Sequence, residues 1–229
     1  MKIFHFKHKD KILYGVLKED VLYPIRGSIF RKFKLEEEGI ALGEVTLLPP
    51  VSPSKIIAVG ANYRNHAHEM GHRIPEEPLI FLKPPSAVVG PNDLIIYPQM
   101  SKRVDYEGEL AFVIRKQAYL LDKEEKLDDY ILGYTCFNDV TARDLQEKDV
   151  QFTRAKSFDT FAAVGPCIAT DVDPSQLRLK TFVNGKLRQS ASTRNFIFSV
   201  PFLLRFISRI MTLFPGDIIT TGTPAGVGP

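Results

Sequence analysis

Alternating apolar and polar positions dominate the first part of the chain. Three such runs fill the first 25 residues: Lys2 to Lys7, Ile12 to Leu17 and Val21 to Ile25. A period of two is typical of strands with one buried face, and the polar segments between the runs have the length of turns. We therefore predict a small β module over residues 1–50, followed by a stiff, proline-rich connection at residues 49–53.

Short β-rich segments outnumber helical ones in the rest of the chain. The predicted strands are Ile56 to Val59, Leu79 to Leu82, Ala87 to Val89, Leu94 to Ile96, Glu107 to Ile114 and Leu179 to Val183. The predicted helices are Asn62 to Met70, Thr141 to Asp149 and Pro201 to Phe214. Because strands and helices do not alternate regularly, the pattern predicts an α+β, mainly β domain over residues 51–229 rather than a doubly wound sheet.

Composition and charge limit the partners of the chain. It has 30 Lys+Arg and 27 Asp+Glu residues, for a formal net charge of +3, and the signs are interspersed. No basic stripe follows a phosphate backbone, so we expect no nucleic-acid partner. The most apolar stretch, residues 196–214, is interrupted by Arg205 and Arg209, so we expect no membrane span. The start alternates like a strand and lacks a secretory signal, which favours a cytoplasmic protein.

The segment Val104 to Ile114 carries acidic residues at alternating positions. A regular strand places Asp105, Glu107 and Glu109 on one face, and apolar residues on both faces from Leu110 onward predict an interior strand. Two glutamates roughly 7 Å apart in a buried region repel each other, and a divalent cation relieves that repulsion. Oxygen ligands favour Mg²⁺, with Mn²⁺ and Ca²⁺ as alternatives. The spacing alone fits a solvated edge strand equally well.

Three further segments contain candidate site residues with competing interpretations. Asp139 lies where a predicted strand meets a helix, and it is either a third oxygen ligand or a helix N-cap. Lys156 either stabilises an enolate or is a surface charge. The glycine-rich segment from Thr220 to Gly228 lacks the residues of a P-loop, and it forms either a turn or a set of backbone donors for a carboxylate.

Histidines concentrate in residues 66–72. His66 and Glu69 are three residues apart, so on a helix the carboxylate would orient the imidazole as a general base. The same pair also fits a solvated helix face. His68 and His72 have the spacing of zinc ligands, but Gly71 weakens the helix that would hold them, and a zinc site is not favoured.

Seven segments, in this order, resemble the fumarylacetoacetate hydrolase family. They are VGANYRNHAHEM, PLIFLKPPSAVVG, VDYEGELAFVI, FNDVTARDLQ, AKSFDTFAAVGP, VNGKLRQ and PGDIITTGTPAGVG. The resemblance extends from about Lys55 to the last residue. It implies a mixed β-sandwich or β-roll with few helices, in a homodimer. Family members continue with further β structure, so we expect the chain to be truncated at Pro229.

The resemblance also implies roles for single residues. Those matching the Mg²⁺ or Mn²⁺ ligands are Glu107, Glu109 and Asp139. Those matching the water-activating pair and the active-site lysine are His66, Glu69 and Lys156. Those matching substrate contacts are Arg143, Gln146 and Thr223.

These roles imply an enzyme acting on small 2-oxo, acylpyruvate-like acids in aromatic catabolism. The predicted reaction is hydrolysis of a C–C bond, in which His66 activates water while the metal and Lys156 stabilise the released enolate. Isomerisation of 2-hydroxyhepta-2,4-diene-1,7-dioate and decarboxylation of oxaloacetate need similar enolate stabilisation and are the alternatives. A metal-binding interaction protein without catalysis is the alternative outside the enzymes.

Overall fold

The computed structural model describes residues 1–65 and 74–228, which fold around a large mixed β-sheet. In chain order the strands are β1 (Lys2–His8), β2 (Lys11–Lys18), β3 (Val21–Arg26), β4 (Lys34–Leu35), β5 (Ile40–Ala41), β6 (Thr46–Leu47), β7 (Ile56–Gly60), β8 (Leu79–Lys83), β9 (Val88–Val89), β10 (Val104–Asp105), β11 (Gly108–Ile114), β12 (Ile131–Asp139), β13 (Thr141–Ala142), β14 (Ala162–Ala169), β15 (Arg178–Val183), β16 (Lys186–Ser192) and β17 (Ile218–Thr220). The α-helices lying wholly within these ranges are α1 (Arg143–Lys148), α2 (Thr153–Lys156) and α3 (Val200–Ser208).

The main sheet follows the order β4-β3-β2-β1-β14-β12-β11-β17-β7-β8. Most neighbours are antiparallel, but β17 runs parallel to β7 and β14 runs parallel to β9. Two small sheets, β10–β13 and β15–β16, lie beside it. The predicted α+β, mainly β class with few helices is therefore confirmed. In the described ranges no helix is long and apolar enough to cross a bilayer.

The N-terminal strands belong to the same sheet as the rest of the chain. The three alternating runs form β1, β2 and β3, as their periodicity predicts. Strand β1 pairs with β14, with Lys2 opposite Ala169 and Ile3 opposite Ile168. Ile3 also packs into an apolar cluster with Ile56 and Val113. The first strands therefore share both hydrogen bonds and core with the C-terminal region.

Strand β11 lies in the centre of the fold, between β12 and β17. All seven of its residues are buried, which confirms the predicted interior strand. Leu110, Phe112 and Ile114 pack on the face covered by α3, while Ala111 and Val113 pack into the opposite cluster. Burial on both faces makes this strand a rigid base for residues at its N-terminal end.

Several predicted elements differ from the structure. The helix predicted from Thr141 begins at Arg143, because Thr141 and Ala142 form β13. Leu94 to Ile96 form no strand, and Leu94 is 83% and Ile96 64% exposed. Apolar, β-branched composition alone does not supply a pairing partner, which explains the error. The predicted helix Pro201 to Phe214 is shorter, because after Ser208 the amides of residues 209–211 bond to Phe206 and Ile207 in a closing turn.

Candidate active site

A break between β10 and β11 brings Glu107 and Glu109 to the same cavity. The strand predicted from Glu107 begins only at Gly108, where the hairpin β15–β16 packs against the backbone. A Cβ atom at Gly108 would lie 2.1 Å from Thr181 Oγ1, so only glycine fits there. The Gly108 amide donates to Gln189 Oε1 at 3.0 Å. The hairpin thus fixes the turn between the two glutamates.

Asp139 completes an acidic triad, the name used here for Glu107, Glu109 and Asp139. Each residue offers one carboxylate oxygen within 4.8 Å of the others, and each is at most 5% exposed. The Asp139 amide donates to Glu107 O at 2.9 Å, which locks the end of β12 to the broken strand. Burial excludes the solvated edge strand, and the N-cap of α1 is Ala142, so Asp139 is not the cap.

Three buried basic side chains contact the acidic triad. Lys156 Nζ donates to Glu107 Oε2 at 2.8 Å and to Asp139 Oδ2 at 2.7 Å. Lys83 Nζ forms an ion pair with Asp139 Oδ1, and Arg143 Nη2 forms one with Glu107 Oε1. Within the described residues no lysine or arginine forms an ion pair with Glu109. The positive charge is therefore concentrated on two members of the triad.

This unequal pairing drives the pKa values of the two glutamates apart. Burial raises the pKa of Glu107, but Lys156 and Arg143 outweigh it and bring the pKa down to about 2. Burial, with repulsion from Asp139 and Glu107, raises the pKa of Glu109 well above its usual value. Three buried carboxylates with one poorly compensated charge form the oxygen donor set that a hard divalent cation prefers.

The acidic triad opens into a cavity of about 380 Å³. Seven residues predicted for the site line it: Glu107, Glu109, Asp139, Arg143, Gln146, Lys156 and Thr223. Apolar walls come from β7, β8 and Phe152. The structure thus brings together seven of the nine predicted residues, and the other two, His66 and Glu69, lie outside the described residues.

Arg143 and Thr223 are each held in place by hydrogen bonds to neighbouring residues. Arg143 Nε donates to Asp105 Oδ2 at 2.8 Å, and its Nη1 donates to Gln146 Oε1. Thr223 Oγ1 donates to Gly108 O at 3.0 Å and accepts from Gln189 Nε2 at 2.8 Å. Asp105 is fully buried, so its charge holds Arg143 against the cavity from behind.

Lys83 is the buried basic residue that sequence reasoning missed. It follows the apolar run of β8 directly and is 1% exposed. Burial lowers its pKa more than Asp139 raises it. The available signal was a lysine at the end of an apolar strand, but its partner Asp139 lies 56 residues away in sequence.

Comparison with protein families matches almost the whole chain. Residues 55–229 match the family described as fumarylacetoacetate (FAA) hydrolase C-terminal, and residues 1–50 match one described as Rv2993c-like, N-terminal. An uncharacterized protein of Archaeoglobus fulgidus is 60% identical over 189 residues, which are 82% of this chain and 75% of that protein. Oxaloacetate tautomerase YisK of Bacillus subtilis is 47% identical over 196 residues, which are 82% of this chain and 65% of the tautomerase.

Two solved structures extend this likeness to the fold. The 5-carboxymethyl-2-hydroxymuconate delta-isomerase from Mycobacterium smegmatis is 41% identical, with a TM-score of 0.93 covering 100% of this chain and 90% of the isomerase. Maleylpyruvate hydrolase from Sphingobium sp. SYK-6, in complex with manganese (II) ion and pyruvate, is 32% identical, with a TM-score of 0.81 covering 100% of this chain and 90% of the hydrolase.

Proposed function

The chain belongs to the fumarylacetoacetate hydrolase family, and we propose that it is a divalent-metal-dependent enzyme that interconverts keto and enol forms, or double-bond isomers, of a small 2-oxo acid. The observation that carries this proposal is the acidic triad, whose oxygens converge within 4.8 Å at the base of a cavity that also contains Lys156 and Arg143. Such a site binds an acid and stabilises negative charge that develops next to it.

A Mg²⁺ or Mn²⁺ ion held by Glu107, Glu109 and Asp139 would polarise a 2-oxo group and favour its enolate. The chain's own residues then have separate tasks. Arg143 and Gln146 bind the anionic end of the substrate, and the Lys156 ammonium group stabilises the enolate oxygen. Apolar walls from β7, β8 and Phe152 exclude water, which strengthens each of these interactions. His66, which with Glu69 matches the family's water-activating pair, is the candidate for moving the proton.

Tautomerisation and isomerisation are preferred because relatives that are 47% and 41% identical are named a tautomerase and an isomerase. Both reactions need proton transfer without attack by water. Hydrolysis of an acylpyruvate-like C–C bond is the second candidate, supported by the His66 and Glu69 pair and by the hydrolase at 32% identity. A 2-oxo acid is the substrate class common to all three reactions.

The proposal is tested by substrate profiling of metal-free protein with and without added Mg²⁺ or Mn²⁺. We expect metal to accelerate the loss of the oxaloacetate enol or the isomerisation of 5-carboxymethyl-2-hydroxymuconate, followed by absorbance, and a chelator to reverse the effect. Release of pyruvate from acylpyruvates without isomerisation would assign the protein to the second candidate. Metal binding without turnover of any substrate would indicate a metal-binding interaction protein.

A matched pair of variants links the reaction to the acidic triad. Glu109→Gln should abolish the metal-dependent rate, whereas Glu36→Gln, which alters an exposed glutamate paired with Arg26, should leave it unchanged. The homodimer, the cytoplasmic location and the role in aromatic catabolism are further parts of the proposal. Light scattering of purified protein tests the first of these, and a monomer at micromolar concentration contradicts it.

A further inference from the structure

Lys156 contacts one carboxylate oxygen on each of two members of the acidic triad, Glu107 and Asp139. Its ammonium group lies 2.8 Å from Glu107 Oε2 and 2.7 Å from Asp139 Oδ2, and its side chain is 3% exposed. Two cations cannot share the same carboxylate oxygens at that distance without strong repulsion. We propose that Lys156 is a built-in competitor of the metal, which metal binding displaces into the cavity to become the anion-binding group for substrate.

The charged cluster at the base of the cavity has balanced formal charges. Four carboxylates, Asp105, Glu107, Glu109 and Asp139, and four basic groups, Lys83, Arg103, Arg143 and Lys156, form this cluster. A divalent cation leaves this cluster with two excess positive charges in a region of low dielectric. That excess favours release of one internal cation from its carboxylates and binding of an anion.

Lys156 is the basic group that Glu107 and Asp139 can both release. Asp139 keeps Lys83 on its other oxygen, Oδ1, and Glu107 keeps Arg143 on Oε1. Lys83 also donates to Val140 O at 3.5 Å and does not line the cavity, whereas Lys156 does. Lys83 therefore anchors Asp139 from behind, and Lys156 is free to move towards a ligand.

Metal and anion binding must then be coupled. In the described part of the chain, the anionic partners of Lys156 are Glu107 and Asp139, so a displaced ammonium group gains a new partner only from an anion in the cavity. Metal should raise the affinity for the anion, and the anion should raise the affinity for metal by the same factor. This inference rests on the proposed metal site and adds an order of events to it.

The first test is calorimetric titration of metal-free protein with Mn²⁺ alone. Lys156→Met and Lys156→Gln remove the competitor and should bind Mn²⁺ about tenfold tighter, or more, than the unaltered chain. Two neutral replacements are used so that a folding defect in one does not decide the result. The matched control is Lys83→Met, which removes the same charge from the same aspartate but not from the shared oxygens, and its gain should be clearly smaller.

The second test repeats the Mn²⁺ titration at saturating pyruvate, the 2-oxo acid present in the solved maleylpyruvate hydrolase. Pyruvate should raise the Mn²⁺ affinity of the unaltered chain more than that of Lys156→Met. Equal enhancement, or Lys156 variants that bind Mn²⁺ no tighter, would overturn the competition while leaving the metal site intact. Failure of the unaltered chain to bind Mn²⁺ would overturn both this inference and the proposed function.

Discussion

The Gly222 amide donates a hydrogen bond of 2.8 Å to Glu109 Oε2, which ties the loop after β17 to the acidic triad. The same loop is bound to the segment after β7, because Asn62 Nδ2 donates to Thr221 O at 2.9 Å. Strands β17 and β7 are parallel, so both segments leave the sheet at one edge. The glutamate with the poorest charge compensation is thus positioned by backbone from two loops.

Gly222→Ala should disturb this arrangement. Gly222 has a φ of +87°, and a Cβ atom there would lie 2.9 Å from Asn62 Cβ and 3.1 Å from Val59 O. We expect the unfolding free energy to fall by about 3 kcal/mol, from backbone strain plus overpacking, and the Mn²⁺ affinity to fall with it. Urea unfolding and calorimetry measure the two effects.

Gly185→Ala is the control for backbone strain alone. Gly185 has a φ of +73°, but nothing lies within 4 Å of the added Cβ atom. Its cost should be about 1 kcal/mol with unchanged Mn²⁺ affinity. Equal changes in unfolding free energy and in Mn²⁺ affinity for the two variants would show that the contact with Asn62 and the bond to Glu109 contribute nothing to either quantity.

His66→Ala should separate proton transfer from metal binding. If His66 carries the proton, its loss lowers kcat by about 100-fold or more, while Mn²⁺ affinity stays within twofold. Glu109→Gln should show the reverse order of effects, with the main loss in Mn²⁺ affinity. Steady-state kinetics and calorimetry on both variants test this. Full turnover in His66→Ala would remove it as the proton carrier.

Arg143→Lys should be costly although it conserves the charge. Arg143 bonds to Asp105, Glu107 and Gln146 through three different nitrogens, and one ammonium group cannot replace them. We expect the unfolding free energy to fall by about 3 kcal/mol and KM to rise. Arg154→Lys, in an exposed pair with Asp149, should leave the unfolding free energy almost unchanged, because solvent screens the pair. Similar losses in both variants would contradict this role for burial.

Asp144→Asn should destabilise the protein in a pH-dependent way. The Ser101 hydroxyl, followed by the Lys102 amide, lowers the pKa of Asp144 below its ordinary 3.8. Ionised Asp144 therefore stabilises the folded chain above that pH, and the contribution disappears as the pH falls through the lowered pKa. Urea unfolding at several pH values should show a difference between the two proteins at pH 7 that shrinks in acid. A constant difference would contradict the assignment.

The sequence predicts which residues line the cavity better than it predicts how those residues are arranged. Alternation predicted that Glu107 and Glu109 share a strand face, but their approach depends on the break before Gly108 and on the hairpin packed against it. Those contacts come from Thr181 and Gln189, more than 70 residues later in the chain, and no local pattern encodes them. The sequence likewise leaves open whether Asp139 caps a helix. In the structure β13 lies between Asp139 and α1, so Asp139 is not the cap.

Local periodicity was informative where the pattern of apolar and polar residues along one strand was enough to determine the structure. It predicted β1, β2 and β3 because their apolar and polar residues alternate, and it predicted the interior position of β11 because apolar residues occur on both faces. It was wrong for Leu94 to Ile96, where strand-forming side chains have no neighbouring strand. It also missed Lys83, whose burial is explained only by a carboxylate on another strand.

The pairing of β1 with β14 determines how the molecule can be divided. Two family descriptions meet near residue 50, yet the strands on either side of that point share one sheet and one apolar cluster. Cutting the chain there would expose part of the edge of β14 and the apolar side chains beneath β1. An exposed strand edge can pair with other chains and so promote aggregation. We therefore expect cooperative melting as one unit, and aggregation of any fragment that begins at residue 55.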